Sequence, residues 1–164
     1  MSESNSKDLS KARSYAYRLL AIRSRSIKEI KEKLKKKGFE ESLIIEVIDY
    51  LERLDYLNDR QFASAWVNSR ISTKPVGLLK LRYELKDKGI DNKIIEEVLS
   101  KLKENYNEYE VACDLAKKRM KKLSKIDSLK AKRRIFNYLL RRGFSYELVC
   151  EVMGLVETES RPSC

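Results

Sequence analysis

Six cations, Lys117, Lys118, Arg119, Lys121, Lys122 and Lys125, fall within nine residues, and Lys130, Lys132, Arg133, Arg134, Arg141 and Arg142 follow closely. Too few acids interrupt them for i,i+4 pairing to neutralise a helix. Guanidinium and ammonium groups at that density can recognise phosphate or carboxylate. The plainer reading is a solvated face; the sharper one is contact with DNA or an acidic protein surface. A second group lies at Lys80, Arg82, Tyr83 and Lys86, where an exposed tyrosine could stack on a base or lie against a neighbouring segment. Trp66 has apolar counterparts elsewhere in the chain and reads as core.

No bond-making chemistry competes with these. The chain has no histidine, which removes histidine acid–base catalysis and histidine metal ligation. It shows no phosphate loop, nucleophile elbow, metal cluster or paired catalytic carboxylates, so neither an enzyme nor a cofactor is expected. Cys113, Cys150 and Cys164 are odd in number and unpaired in spacing, which fits a reducing, cytoplasmic setting. No run is long enough for a membrane span, and Met1–Ser6 lacks the apolar core of a signal peptide. With 36 Lys and Arg against 25 Asp and Glu, the chain carries +11. Charge alone leaves polyanion binding and a solubility surface equally open.

The elements that must position these residues are helices. Only 5 Gly and 2 Pro occur in 164 residues, and Leu, Ile, Lys, Glu and Arg dominate. An internal repeat is visible in Leu34-Lys35-Lys36-Lys37-Gly38-Phe39, Leu85-Lys86-Asp87-Lys88-Gly89-Ile90 and Leu139-Leu140-Arg141-Arg142-Gly143-Phe144. Apolar residues eight and four positions before each glycine mark one helix, and those at +5, +6, +9 and +10 mark the next. Glycine ends the first helix with a left-handed residue, and Phe39/Ile44, Ile90/Ile95 and Phe144/Val149 form hydrophobic staples at the second. Glu40, Asp91 and Ser145 are the N-caps, with Glu the poorest.

A leading helix precedes each pair. Tyr15-Ala16, Leu19-Leu20 and Arg23 align with Phe62-Ala63, Trp66-Val67 and Arg70, and with Val111-Ala112, Leu115-Ala116 and Arg119. The three arginines sit where they could cap their own helix dipole. Ser26–Glu29, Asn58–Gln61 and Asn107–Glu110 read as capping boxes or close variants. Pro75 suits the first turn of the second unit's middle helix, which places Gly77 early in that helix and implies a close backbone approach there. The expectation is an all-α chain of three tandem three-helix repeats over 1–57, 58–106 and 107–156. About eight residues at the start are expected to be disordered and 157–164 to form a flexible tail, with the repeats stacked as an elongated, curved helical solenoid.

Tyr56-Leu57-Asn58-Asp59-Arg60-Gln61-Phe62-Ala63, with Arg70, Gly77 and Leu85 to Ile90, resembles the central signature of the RecX family. Leu19-Leu20 through Arg25-Ser26 and Leu34 to Gly38 are similar to that family's opening. Asn58 departs from the family, where an acid is more usual; it caps a helix equally well but lacks the charge. The resemblance implies a non-catalytic cytoplasmic regulator, usually an inhibitor, of RecA. It implies a monomer lying in the groove of the RecA–single-stranded-DNA filament, with single-stranded and also double-stranded DNA as direct partners. It adds Asp59 and Arg70 to the contact candidates, though Asp59 also reads as a plain first-turn acid. The helix–Gly–helix junction keeps a second reading open, a helix-turn-helix DNA-binding protein. Glu41, Glu46, Glu96 and Glu97 weigh against it, since they crowd the helices that would enter the groove.

Overall fold

The fold comes from a computed structural model, which describes the backbone over residues 3–159 and side chains over 6–154. Cys164 lies outside the described residues. Among these residues there are nine helices and no strand: α1 (Glu3–Ile22), α2 (Ile27–Lys36), α3 (Glu41–Arg53), α4 (Asp59–Thr73), α5 (Leu78–Asp87), α6 (Asn92–Lys103), α7 (Glu108–Lys122), α8 (Ser128–Arg141) and α9 (Tyr146–Glu159). They form three three-helix repeats, as the glycine-centred strings predict. None of the described helices is long and apolar enough to cross a membrane.

Each middle helix ends in the same way, for a local reason. Gly38, Gly89 and Gly143 have φ of 93°, 78° and 81°, a region that side chains with a Cβ rarely enter. In each case the glycine N–H bonds the carbonyl three residues back, while the next residue bonds the carbonyl five back, from Leu34, Leu85 or Leu139. The chain then turns at once into the third helix. Asp91 accepts from the Lys93 amide and Ser145 from the Leu148 amide, while Glu40 makes no side-chain cap.

By contact the chain divides into two compact units, residues through Trp66 with Leu85–Val98, and Val67–Glu84 with Leu99 onward. The division cuts through α4, α5 and α6. In the first unit α1, α2 and α3 pack on one another around Ala12, Ala16, Ile30, Leu34, Ile44, Val47 and Leu51. In the second, α7, α8 and α9 enclose Ala112, Ala116, Ile135, Leu139, Phe144, Val149 and Val152. Alanine recurs at the same place in each leading helix: Ala16, Ala63 and Ala112 are all fully buried. Each enclosed Ile, Leu or Phe contributes about 1.5–3 kcal/mol of burial.

Three expectations need correction. The helix α1 starts at Glu3, so residues 3–8 are helical and not a disordered lead-in. Once a helix is nucleated by the packed turn around Leu9 and Ala12, extending it costs little per residue. At the other end α9 continues past 156 to Glu159. Finally, Pro75 and Gly77 precede α5 and are not in its first turn. Gly77 is the residue before the helix, and its N–H bonds Arg142 O at 2.9 Å. A Cβ there would overlap the Gly143 carbonyl, so the close approach expected at Gly77 is to the glycine turn of the third repeat.

Candidate functional site

Two of the candidate residues are committed to holding the fold. Asp59 Oδ1 accepts the Ile27 N–H at 2.9 Å, so it caps the first turn of α2 and not its own helix. Glu108 stands at the same place in the third repeat and accepts the Leu78 N–H at 2.8 Å, capping α5. Burial raises both carboxyl pKa values above their usual range, against the opposing effect of those amide bonds. Arg70 makes a bidentate pair with Glu84 at 2.7 and 2.6 Å, and this hydrogen bonding raises its own pKa.

The dipole-capping role expected of Arg23, Arg70 and Arg119 is not what the geometry shows. Each reaches toward the middle helix of its own repeat. Arg23 donates to both oxygens of Glu29 at 3.1 Å, besides bonding Ser24 O, and Arg70 takes Glu84. Arg119 instead lies 5.2 Å from the ring centre of Tyr138 on α8. The reason is compositional: α8 contains no Asp or Glu.

Lys80 is also engaged. Its stem packs on Gly143 and its Nζ donates to Arg141 O at 3.4 Å. In the first unit Lys28 does the same, with its stem on Gly89 and its Nζ 2.9 Å from Asp87 O. A lysine early in each of two middle helices therefore covers the C-terminal carbonyls of another middle helix. Tyr83 is 69% exposed, which removes the reading that it lies buried against a neighbour. Arg82 is half-buried and Lys86 exposed. Trp66 is half-buried rather than enclosed; it stacks on Phe62 and carries the Lys88 ammonium 4.7 Å above its ring.

The remaining candidates share one repeat. On α7, Lys117, Lys118, Lys121 and Lys122 are exposed on one face of the helix, and Lys125 is exposed in the turn just beyond it. On α8, Lys130, Arg133 and Arg134 are exposed and Lys132 is half-buried. The side chains of Lys118, Lys121, Lys122, Lys125, Lys130, Arg133 and Arg134 form no ion pair with another described residue. Some cations elsewhere do: Arg13 with Glu46, Arg60 with Glu97, Lys88 with Glu29. Residues 117–142 hold twelve Lys and Arg against the single acid Asp127, leaving twenty-four of each sign in the rest of the chain. The whole net charge of +11 therefore resides in that segment.

Arg142, the last cation of that run, is engaged within the fold. Its Nη1 donates to Pro75 O at 2.9 Å and its guanidinium lies 5.1 Å from the Tyr138 ring centre. Its place recurs in the repeat, since Lys37, Lys88 and Arg142 all immediately precede their glycines.

Family comparison agrees with this architecture repeat by repeat. Residues 12–51 match the first three-helix domain of RecX, 58–99 the second and 106–153 the third. A protein named Regulatory protein RecX from Bacillus licheniformis is 37% identical over 153 residues, which is 93% of this chain and 58% of that protein. The like-named protein of Chlorobium phaeobacteroides is 38% identical over 149 residues, covering 91% of this chain and 95% of its own. The crystal structure of RecX from Lactobacillus salivarius superposes with a TM-score of 0.79 at 28% identity, over 93% of this chain and 99% of that one.

Proposed function

Because the chain belongs to the RecX family, matching it in all three repeats, we propose that it regulates RecA by binding the groove of the RecA–single-stranded-DNA filament. There it limits filament extension, ATPase, strand exchange and co-protease activity. The observation that carries this reading to a nucleoprotein target is the third repeat, where the exposed Lys118, Lys121, Lys122, Lys125, Lys130, Arg133 and Arg134 form no ion pair with another described residue. Such a face has high affinity for a surface of closely spaced negative charge. Acids on the third helices weigh against a helix-turn-helix protein: Glu41, Glu96 and Glu97 are exposed where groove contact would be needed.

The test is RecA ATPase on single-stranded DNA with and without the protein, beside a titration of filament against naked oligonucleotide. The expected result is reduced ATPase and tighter binding to filament than to DNA alone. Equal affinity for both, with ATPase unchanged, would reject RecA as the target and favour a direct DNA-binding protein.

A further inference from the structure

Resting on the filament reading, we propose that Arg119 and Arg142, gathered at the Tyr138 ring, hold a backbone phosphate of single-stranded DNA. In the first two repeats the arginine that closes the leading helix is neutralised internally, Arg23 by Glu29 and Arg70 by Glu84. Counted from the glycines, Glu84 and Tyr138 occupy the same place, five residues before Gly89 and Gly143. The third repeat thus keeps the arginine and replaces its carboxylate with a phenol.

What remains is an arginine without its anion. The Arg119 Nε is buried and has no hydrogen-bond partner among the described residues, while the side chain as a whole stays partly exposed. A second guanidinium, that of Arg142, shares the Tyr138 ring, at 5.1 Å against 5.2 Å for Arg119. Two guanidiniums at one ring raise the local positive potential, which a bound anion offsets. Lys122 on α7 and Arg134 on α8 each lie one helical turn from this cluster along their own helices and are exposed. The third repeat therefore offers two guanidiniums at one ring, continued by further cations toward the α7–α8 loop, which fits a phosphodiester chain better than a single carboxylate.

The test installs the missing carboxylate. Tyr138→Glu recreates the pairing that Glu84 gives Arg70, so the site should be neutralised from within while the helix content is kept. Arg119→Gln removes the anchor without adding a charge, and keeps the proposal testable should Tyr138→Glu disturb the packing. Binding of labelled oligo-dT is measured by anisotropy across a salt series. Both variants should bind several-fold more weakly, with the log–log salt slope reduced by about 0.7 in each, the share of one phosphate contact. Folded variants with the parent's affinity and slope would overturn the clamp. Variants that keep oligo-dT binding but lose binding to DNA-free RecA would overturn it too, in favour of a protein carboxylate. RecA ATPase under the parent protein, measured separately, judges the filament reading, so the two can fail independently.

Discussion

Glu29 gathers donors from three segments. It accepts from Arg23 at 3.1 Å, from Lys88 at 2.6 Å and from the Ser26 amide at 3.3 Å, the last completing a reciprocal capping box. Burial pushes its carboxyl up, but the hydrogen bonds and charges of Arg23 and Lys88 outweigh that and bring it down to about 2. A lowered pKa means that the folded state favours the ionised form, so this stability is complete above about 4.5 and is lost as pH falls toward about 2. Replacing the charge-assisted bonds by neutral ones in Glu29→Gln is expected to cost about 1–3 kcal/mol at neutral pH, read from urea midpoints. The gap between parent and variant should close as the solution is acidified through that window. A gap independent of pH would mean that the carboxylate charge does not matter. Asp59 and Glu108 have the opposite sign: their raised pKa values make the ionised form the less favoured one in the fold, so acidification relieves them. Their structural role was only half legible in the sequence. A first-turn acid announces an N-terminus, but the amide that Asp59 serves belongs to Ile27, 32 residues away.

At the scale of elements, the legible features were those encoded within one turn: the three glycine stops, the staples, the caps. The recurrence of the string around Gly38, Gly89 and Gly143 gave helix count and order because every bond it uses lies within six residues. The junctions between middle helices were not legible, since they join positions dozens of residues apart. Ser26 Oγ donates to Lys88 O at 2.7 Å, and Gly77 N to Arg142 O at 2.9 Å. Gly77 shows what the sequence could and could not give: its helix-breaking cost signalled a close approach, and only the fold supplies Gly143 as the partner. Gly77→Ala must push backbone against backbone and is expected to destabilise by about 1–3 kcal/mol. Gly154→Ala, on α9 with nothing within 4 Å of the added carbon, should stabilise by about 0.5–1 kcal/mol through backbone entropy alone. Thermal melts of both decide it, and equal shifts would show that the junction at Gly77 is not tight.

At the scale of the whole chain, the sequence total of +11 concealed its own distribution. The first repeat places Lys33, Lys35, Lys36 and Lys37 beside a third helix rich in acids, whereas the segment from Lys117 to Arg142 has Asp127 alone. Diffuse positive charge would speed encounter with any polyanion and leave no preferred face; concentrated charge releases counterions where it meets the target. Two variants with the same net charge separate these. Changing Lys118, Lys121, Lys122 and Lys125 to Gln, or Lys33, Lys35, Lys36 and Lys37 to Gln, removes four charges in either case. If the third repeat is the contact face, the first variant should lower the salt slope of binding to RecA–single-stranded-DNA filaments by about 3 and weaken binding at moderate salt, since each lost phosphate contact accounts for about 0.7. The second should leave the slope near that of the parent, because the acids Glu40, Glu41, Glu46, Asp49 and Glu52 offset much of the charge of that repeat. Equal losses in both would assign binding to total charge and remove any special standing from the third repeat.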